Sequence, residues 1–283
     1  MAISSPTDTN WYKLYLQSKP SNDRLAGVFR RRFRMPYSCF ISLLNELRNC
    51  PLFSQWNSSD AVGVPSVDMR LLLLGTLKYM GRSFNFDDLA EATTISKDTH
   101  HIFFNTFIEY GNTILYQKFV ITPAQQYVET NDKELFNMAG FNGCVGSMDG
   151  VHVLMLQCPS WATIGHTSHK LKATARSYNV TVTHEQQILH STCGHPSTWN
   201  DKSLITADEF YKDVKRGKTL RNNRFALLEY NSEGNVTEAH YRGGWFMVDS
   251  GYMAWLCTIP PLKNCTSYKY IRFSEFLESM QKI

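Results

Sequence analysis

The pattern of apolar residues changes near residue 142 and limits the chain to a fold with helices first and strands second. Before this point, apolar residues recur three and four positions apart, as in residues 67–80, which predicts helices. After it, short apolar or alternating runs such as residues 177–184 predict strands. We therefore expect an α+β protein with an N-terminal helical bundle at residues 24–140 and a mixed-sheet domain at residues 143–283.

Composition places the chain among folded proteins. Of its 283 residues, 43% are hydrophobic and 19% are charged, which excludes a disordered chain. The net charge of +4 permits nucleic-acid binding without requiring it. The seven cysteines include no C-x-x-C pair, which argues against a disulfide framework and a cysteine zinc site. No apolar stretch reaches membrane-spanning length, so we expect an intracellular protein with no membrane partner.

Two aspartates are the main candidates for chemistry, because each follows a short apolar run and precedes glycine or serine-glycine. Asp149 follows residues 144–148, and Asp249 follows residues 245–248. A carboxylate at the exposed end of a buried strand is held by the strand and open to substrate, so this pair predicts a divalent-metal site across a sheet. The alternative is that each aspartate only begins a tight turn.

The helical half contains a candidate DNA-reading unit. Residues 86–104 predict a helix, a short turn and a second helix, which is the outline of a helix-turn-helix. The exposed face of the second helix would carry Lys97, Thr99, His100 and Asn105. Two helices packed in an ordinary bundle are the favoured alternative.

A basic run precedes this unit, with Arg30, Arg31 and Arg32 at its centre. Such a cluster can neutralise DNA phosphates or act as a nuclear-import signal. A solvated helix surface is an equal alternative.

Several motifs follow one another in the second half of the chain. They are residues 147–152, 158–159, 172–180, 200–203, 248–252 and 273–280. Together they resemble the plant-transposon and Harbinger branch of the DDE transposases and the nucleases domesticated from them, and the helical half is similar to that family too. The resemblance implies a ribonuclease H-like fold for the sheet domain. It also implies a nuclear enzyme that hydrolyses or transfers DNA phosphodiester bonds.

The resemblance further implies roles for individual residues. Asp149 would bridge two divalent ions, Mg²⁺ or Mn²⁺, and Asp249 would hold one of them. Magnesium prefers hard oxygen ligands and retains several waters. Two such ions can activate the attacking oxygen and stabilise the leaving one.

Asp201 and His152 are candidates for supporting roles. Asp201 lies at a predicted helix start, so we interpret it chiefly as a helix cap or as a group behind the ligands, with direct metal binding as the alternative. We expect His152 on the same strand face as Asp149, where it would orient the carboxylate. A histidine packed in the core is the equal alternative.

Basic residues near the acids are candidate phosphate contacts. Lys170, Lys172 and Arg176 form this stretch, with solvated surface as the alternative. The expected partners are DNA, a Myb-like protein that supplies DNA recognition in relatives, and a second copy of the chain.

The third acid of the family is a glutamate on the last helix. In relatives, the stretch resembling residues 278–282 continues with Asp-Val-Glu, so by this resemblance residue 283 falls on the Asp position. Glu278 lies two helical turns from the glutamate position, about 11 Å away, and cannot replace that residue. We therefore expect a DDE site cut short at the C-terminus. The alternative function is a catalytically inactive, transposase-derived protein that binds DNA or protein.

Overall fold

The computed structural model describes residues 5–17, 19–20, 22–57, 67–121, 134–155 and 158–281. The chain divides into two compact units, Met1–Leu115 and Tyr116–Ile283. The expected α+β class is confirmed, because helices form the first unit and a mixed sheet forms the centre of the second. Within these described ranges, no helix is both long and apolar enough to cross a membrane.

The first unit is built from helices. They are α1 (Asp23–Phe33), α2 (Tyr37–Arg48), α3 (Met69–Arg82), α4 (Phe86–Thr93) and α5 (Lys97–Tyr110). Shorter 3₁₀ or π turns occur at Pro6–Asp8, Tyr12–Leu16, Pro51–Trp56 and Gly111–Leu115.

Helix α3 is the centre of this unit, as its apolar sequence predicts. Asp68 caps the helix, and its carboxylate accepts the N–H of Arg70 at 2.9 Å. The leucines that follow face different sides of the helix and are all fully buried: Leu71, Leu72, Leu73 and Leu74. A helix buried on every side has to be surrounded by its neighbours.

Helices α4 and α5 are joined by a short turn, and the expected exposure of His100 on α5 is wrong. His100 is 2% exposed, and its Nε2 lies 2.8 Å from the hydroxyl of Thr93. The ring packs against Gly75 of α3, where a Cβ would lie 2.8 Å from it. Gly75 therefore leaves the space that lets His100 point inward.

Helix α1 carries the basic run. Phe29 and Phe33 are buried, whereas Arg30, Arg31 and Arg32 are exposed near the C-terminal end of the helix. Cations are favourable there because the helix dipole is negative at that end.

The second unit contains strands and helices in alternation. The strands are β1 (Cys144–Leu154), β2 (Thr167–Ser168), β3 (Ala173–Val182), β4 (Ile188–Ser191), β5 (His195–Pro196), β6 (Arg224–Tyr230), β7 (Val236–Arg242), β8 (Trp245–Val248) and β9 (Thr258–Ile259). The helices are α6 (Glu134–Met138), α7 (Thr163–His166), α8 (Asp201–Ala207), α9 (Glu209–Lys215) and α10 (Tyr268–Gln281), with short turns at Gln117–Ile121 and Ser160–Ala162.

The main sheet is mixed, with antiparallel and parallel halves. Strand β3 is antiparallel to β1 on one side and to β4 on the other. Strand β1 is parallel to β8, and β8 is parallel to β9. The spatial order through the sheet is therefore β4, β3, β1, β8, β9. Strands β6 and β7 form a separate antiparallel ribbon.

Helices cover both faces of the sheet, so its central strands are buried. On one face, Ile205 of α8 and Tyr211 of α9 pack with Met148 and Val248. On the other face, Leu277 of α10 and its neighbours pack with Met247. This layering fixes β1 and β8 side by side and leaves only their ends accessible.

Candidate active site

Asp149 and Asp249 occupy equivalent positions on neighbouring parallel strands. Strands β1 and β8 pair in register up to Met148 and Val248, and the aspartates are the next residues of each chain segment. Asp249 follows the last residue of β8, as expected. Asp149 does not end its strand, because β1 continues along β3 to Leu154. Asp149 is exposed instead because the strand on the other side of β1, which is β8, ends next to Met148.

Each of these carboxylates uses one oxygen in a local hydrogen bond. Oδ1 of Asp149 accepts the N–H of Gly150 at 2.7 Å, and Oδ1 of Asp249 accepts the N–H of Gly251 at 2.7 Å. The carbonyl of Asp249 also accepts the N–H of Tyr252, so Asp249 does begin a turn. That turn leaves the second carboxylate oxygen outside these hydrogen bonds.

A third carboxylate, that of Asp201, joins the pair. The interpretation of Asp201 as a helix cap is wrong, because the side chain of the preceding residue, Asn200, accepts the N–H of Ser203 and caps α8. Asp201 is the first residue inside α8, and its side chain extends towards Gly150 and Gly251. Helix α8 therefore delivers a carboxylate from one face of the sheet to the ends of β1 and β8.

Two glycines make room for this carboxylate. A Cβ at position 251 would overlap the Asp201 carboxylate and lie 3.0 Å from Oδ1 of Asp249. A Cβ at position 150 would lie 3.2 Å from Oδ1 of Asp201. Neither glycine has a positive φ, so contact with Asp201, rather than backbone conformation, requires them.

The pKa shifts show that the three acids act on one another. Burial raises the pKa of Asp149, and the negative charge of Asp249 raises it further. Burial likewise raises the pKa of Asp201, followed by the charges of Asp249 and Asp149. The positive charge of Lys170 acts in the opposite direction and lowers both pKa values. The site thus holds negative charge that a nearby cation would stabilise.

Tyr252 and Asn179 lie beneath the acids, and sequence reasoning gave them no role. The Tyr252 hydroxyl donates to Oδ1 of Asn179 at 2.9 Å, and both side chains are buried. Asn179 is paired with Gly150 across β3 and β1. Burial and then the charges of Asp201, Asp149 and Asp249 raise the pKa of Tyr252 far above its usual range. Tyr252 belongs to the motif of residues 248–252, and this is the one sequence feature that links it to the site.

His152 is near the acids but does not share a strand face with Asp149. It lies three residues further along β1, and alternate residues of a strand face opposite sides. Its Nδ1 is 2.8 Å from the hydroxyl of Ser177 on β3. The expected common face is therefore wrong, and His152 is held by β3 rather than by the Asp149 carboxylate.

The predicted phosphate contacts lie on β3 and the turn before it. Lys170 and Lys172 belong to the turn between β2 and β3, where Lys172 has a φ of 51°. Arg176 is exposed on β3, opposite Val153. Arg30, Arg31 and Arg32 belong to the other unit.

The three aspartates offer the type of ligand atom that magnesium prefers, which is a carboxylate oxygen. Asp149, Asp201 and Asp249 offer only hard carboxylate oxygens, and their mutual repulsion would be relieved by a divalent cation. Among the described residues, however, no group of three or more His, Cys, Asp or Glu side chains is arranged so that it could hold a metal ion. Magnesium commonly binds through one or two carboxylates, completed by water and substrate phosphate.

The family of the chain follows from comparison with known proteins. Comparisons with curated proteins and with solved structures found no match. A family model described as "Plant transposon protein" matches residues 117–282, which include the three aspartates of this site. Because that match covers more than half of the sequence, the protein belongs to the plant transposon protein family.

Proposed function

We propose that the chain is a DDE-type transposase or endonuclease of the Harbinger branch, acting on DNA phosphodiester bonds with two divalent ions. The observation that carries this proposal is the placement of Asp149 and Asp249 at equivalent positions on adjacent parallel strands, coupled electrostatically to Asp201. A nuclear location and a Myb-like partner belong to the same proposal, since they follow from the DNA substrate and the family resemblance.

The order of strands supports a ribonuclease H-like fold. That fold has three antiparallel strands followed by two parallel ones in the spatial order 3-2-1-4-5. If β1, β3, β4, β8 and β9 are counted as strands one to five, the sheet has this order and these directions.

Helices α4 and α5 are the part of the chain that would read the DNA sequence under this proposal. They pack on α3 as a compact unit around His100, with a turn of residues 94–96 between them. The exposed residues of α5 include Lys97, but its ammonium group lies 3.5 Å from a carboxylate oxygen of Asp87. Phosphate contacts from the helical half of the chain would therefore come mainly from Arg30, Arg31 and Arg32 of α1.

Helix α10 packs on the Asp149 side of the sheet, where the resemblance places the third acid of the family. Ser147 is aligned with Met247 of β8, and the Met247 side chain packs with Leu277 of α10. Asp149 lies two residues after Ser147, so both face the same side of the sheet as α10. The amide of Gln281 donates to the carbonyl of Met148 at 3.1 Å, next to Asp149.

The chemistry of the site follows from its charges. Bound divalent ions would supply activation of the attacking oxygen and stabilisation of the leaving oxygen. Asp149 and Asp249 would hold the ions from the strand ends, and Asp201 would add negative charge from α8. The ammonium of Lys170 would bind a phosphate oxygen of the substrate and offset the repulsion between that phosphate and the acids.

Cleavage of supercoiled plasmid DNA with Mg²⁺ or Mn²⁺ tests this proposal. We expect Asp149→Asn and Asp249→Asn to lower the rate by about 1,000-fold or more, because each removes several kcal/mol of transition-state stabilisation. The matched control is Glu275→Gln, which removes an exposed carboxylate of α10 that lies 3.7 Å from Arg272. Nicking that persists in Asp149→Asn would refute the role of Asp149. DNA binding by a wild-type chain that never nicks would favour the inactive, DNA-binding alternative.

A further inference from the structure

A second charged site lies at the other end of β8. A surface cavity of about 610 Å³ is bounded by the end of α9, the base of the β6–β7 ribbon and the segment that leads into β8. Its basic side chains are Lys215, Arg216, Arg221 and Arg242, and we call it the basic cavity. It opens beside Trp245, whereas the acids lie beyond Val248, so the length of β8, about 13 Å, separates the two sites.

The cations of the basic cavity are poorly neutralised. None of the described residues that line it is acidic. Arg216 lies 3.7 Å from Asp213, an exposed pair that contributes little. The ammonium of Lys215 lies 4.5 Å from the ring centroid of Trp255. Between described residues, no ion pair involves Arg221 or Arg242. The cavity therefore presents positive charge that is available to an anion.

The backbone around the cavity fixes the positions from which the side chains of Arg221 and Arg242 extend. Leu220 has a φ of 64° and is 3% exposed, so its buried side chain fixes the turn that presents Arg221 to solvent. Gly243 has a φ of 105° and donates its N–H to the carbonyl of Asn223 at 2.9 Å, which anchors the residue after Arg242. Because this N–H is already used, an anion would be bound by the side chains.

The wall of the cavity is apolar and aromatic. Phe225 and Tyr241 stack with ring centroids 5.5 Å apart, and Leu256 is 96% exposed. Guanidinium groups and apolar surface in one cavity match a phosphodiester, whose charge is local and whose sugar is partly apolar. The cavity reaches the protein surface at Leu256, so a ligand can enter it from solvent.

We infer that the basic cavity binds the phosphate backbone of DNA at a position remote from the acids. This inference rests on the proposed function for the choice of polymer. It assigns Arg221 and Arg242 to substrate anchoring, with no part in the chemistry. DNA bound at both sites would dissociate from the protein more slowly than DNA bound at the acids alone.

Salt-dependent DNA binding tests the inference without relying on cleavage. The probe is a fluorescein-labelled 20-base-pair duplex, and the protein is the full chain carrying Asp149→Asn, in EDTA. The test variant adds Arg221→Gln and Arg242→Gln. The control variant adds Lys263→Gln and Arg272→Gln, which remove the same charge from exposed positions outside the cavity.

In the test variant, we expect the slope of log Kd against log salt concentration to fall by about 1.8, since each lost phosphate contact accounts for about 0.9. Affinity at 100 mM salt should fall about tenfold, while the control variant should stay within about twofold of the parent. Equal slopes in the test and control variants would overturn the inference, as would a parent that binds no DNA. Selective loss of binding to a labelled oligoglutamate, with DNA binding intact, would overturn it in favour of an acidic protein partner. Absence of nicking by the wild-type chain refutes only the proposed function, because the binding assay uses a chain that is not required to cleave.

Discussion

The hydroxyl of Tyr252 donates a hydrogen bond to Oδ1 of Asn179 over 2.9 Å, and this bond joins the turn after Asp249 to the strand opposite Gly150. Tyr252 is 4% exposed and Asn179 is fully buried. The amide nitrogen of Asn179 has no hydrogen-bond partner among the described residues. The hydroxyl is thus the one described partner of the Asn179 carboxamide, and it fixes the turn that carries Asp249.

Tyr252→Phe should destabilise the second unit. The change removes the hydroxyl and leaves a buried carboxamide oxygen without its partner, which costs about 1–3 kcal/mol. Urea denaturation measures this as a lower midpoint with an unchanged slope. The matched control is Tyr241→Phe, which removes an exposed hydroxyl bonded to Glu229 and should leave the midpoint unchanged. Equal midpoints for wild type and Tyr252→Phe would contradict the positioning role of this pair.

Gly251→Ala should impair the site more than the fold. The added methyl would overlap the Asp201 carboxylate and press on Asp249, so at least one acid must move. We expect plasmid nicking to fall about 10- to 100-fold, as for other groups that position metal ligands. Gly165→Ala is the control, because a Cβ there meets nothing within 4 Å. Equal nicking by both variants would show that the acids do not need this space.

Asp201→Asn should raise stability and lower activity. The pKa of Asp201 is raised in the folded chain, so its charged form is disfavoured there relative to the unfolded chain. The stability cost is therefore present above the folded-state pKa and disappears as the pH falls below the unfolded value. At neutral pH without divalent ions, the variant should melt slightly higher than wild type, while nicking falls about 10- to 100-fold. A lower melting temperature in EDTA would contradict the repulsion between the acids.

His100 should make the first unit sensitive to mild acid. Burial lowers the pKa of His100 to about 4, from an ordinary value of 6.5. As the pH falls below 6.5, the unfolded chain takes up a proton that the folded chain refuses, so about 3 kcal/mol of stability is lost by pH 4. Hydrogen exchange of the α5 amides measures this loss. In His100→Gln, which keeps a hydrogen-bonding group near Thr93, the extra dependence on pH should disappear. Parallel pH profiles for the two proteins would show that His100 is not the cause.

The sequence was sufficient where a short segment determines its own structure. Helix α3 could be predicted because consecutive leucines from Leu71 onward can be buried together only at the centre of a bundle. Asp149 and Asp249 could be predicted as candidates because each follows a run of apolar residues that has to be buried. Both inferences use local pattern alone.

The positions that depend on packing between distant segments could not be predicted. Local capping rules cannot decide whether Asn200 or Asp201 caps α8, because both residue types cap helices. The position of Asp201 beside the other acids depends on the approach of α8 to Gly251. The burial of His100 on α5 could not be predicted, because it depends on the space left by Gly75 on α3. The ribonuclease H-like fold and the DNA-reading role remain predictions.

The parallel pairing of β1 with β8 has a consequence for how the site forms. Asp149 and Asp249 are about a hundred residues apart in the chain, and the segment between them includes strands β2 to β5 and β8 of the sheet and two of its covering helices. Contacts between such distant segments form late in folding, because closing a long loop costs entropy that only the final packing repays. A partly folded chain therefore lacks the assembled acids. Under the proposed function, nascent chains would be unable to cut DNA until the last strands are in place.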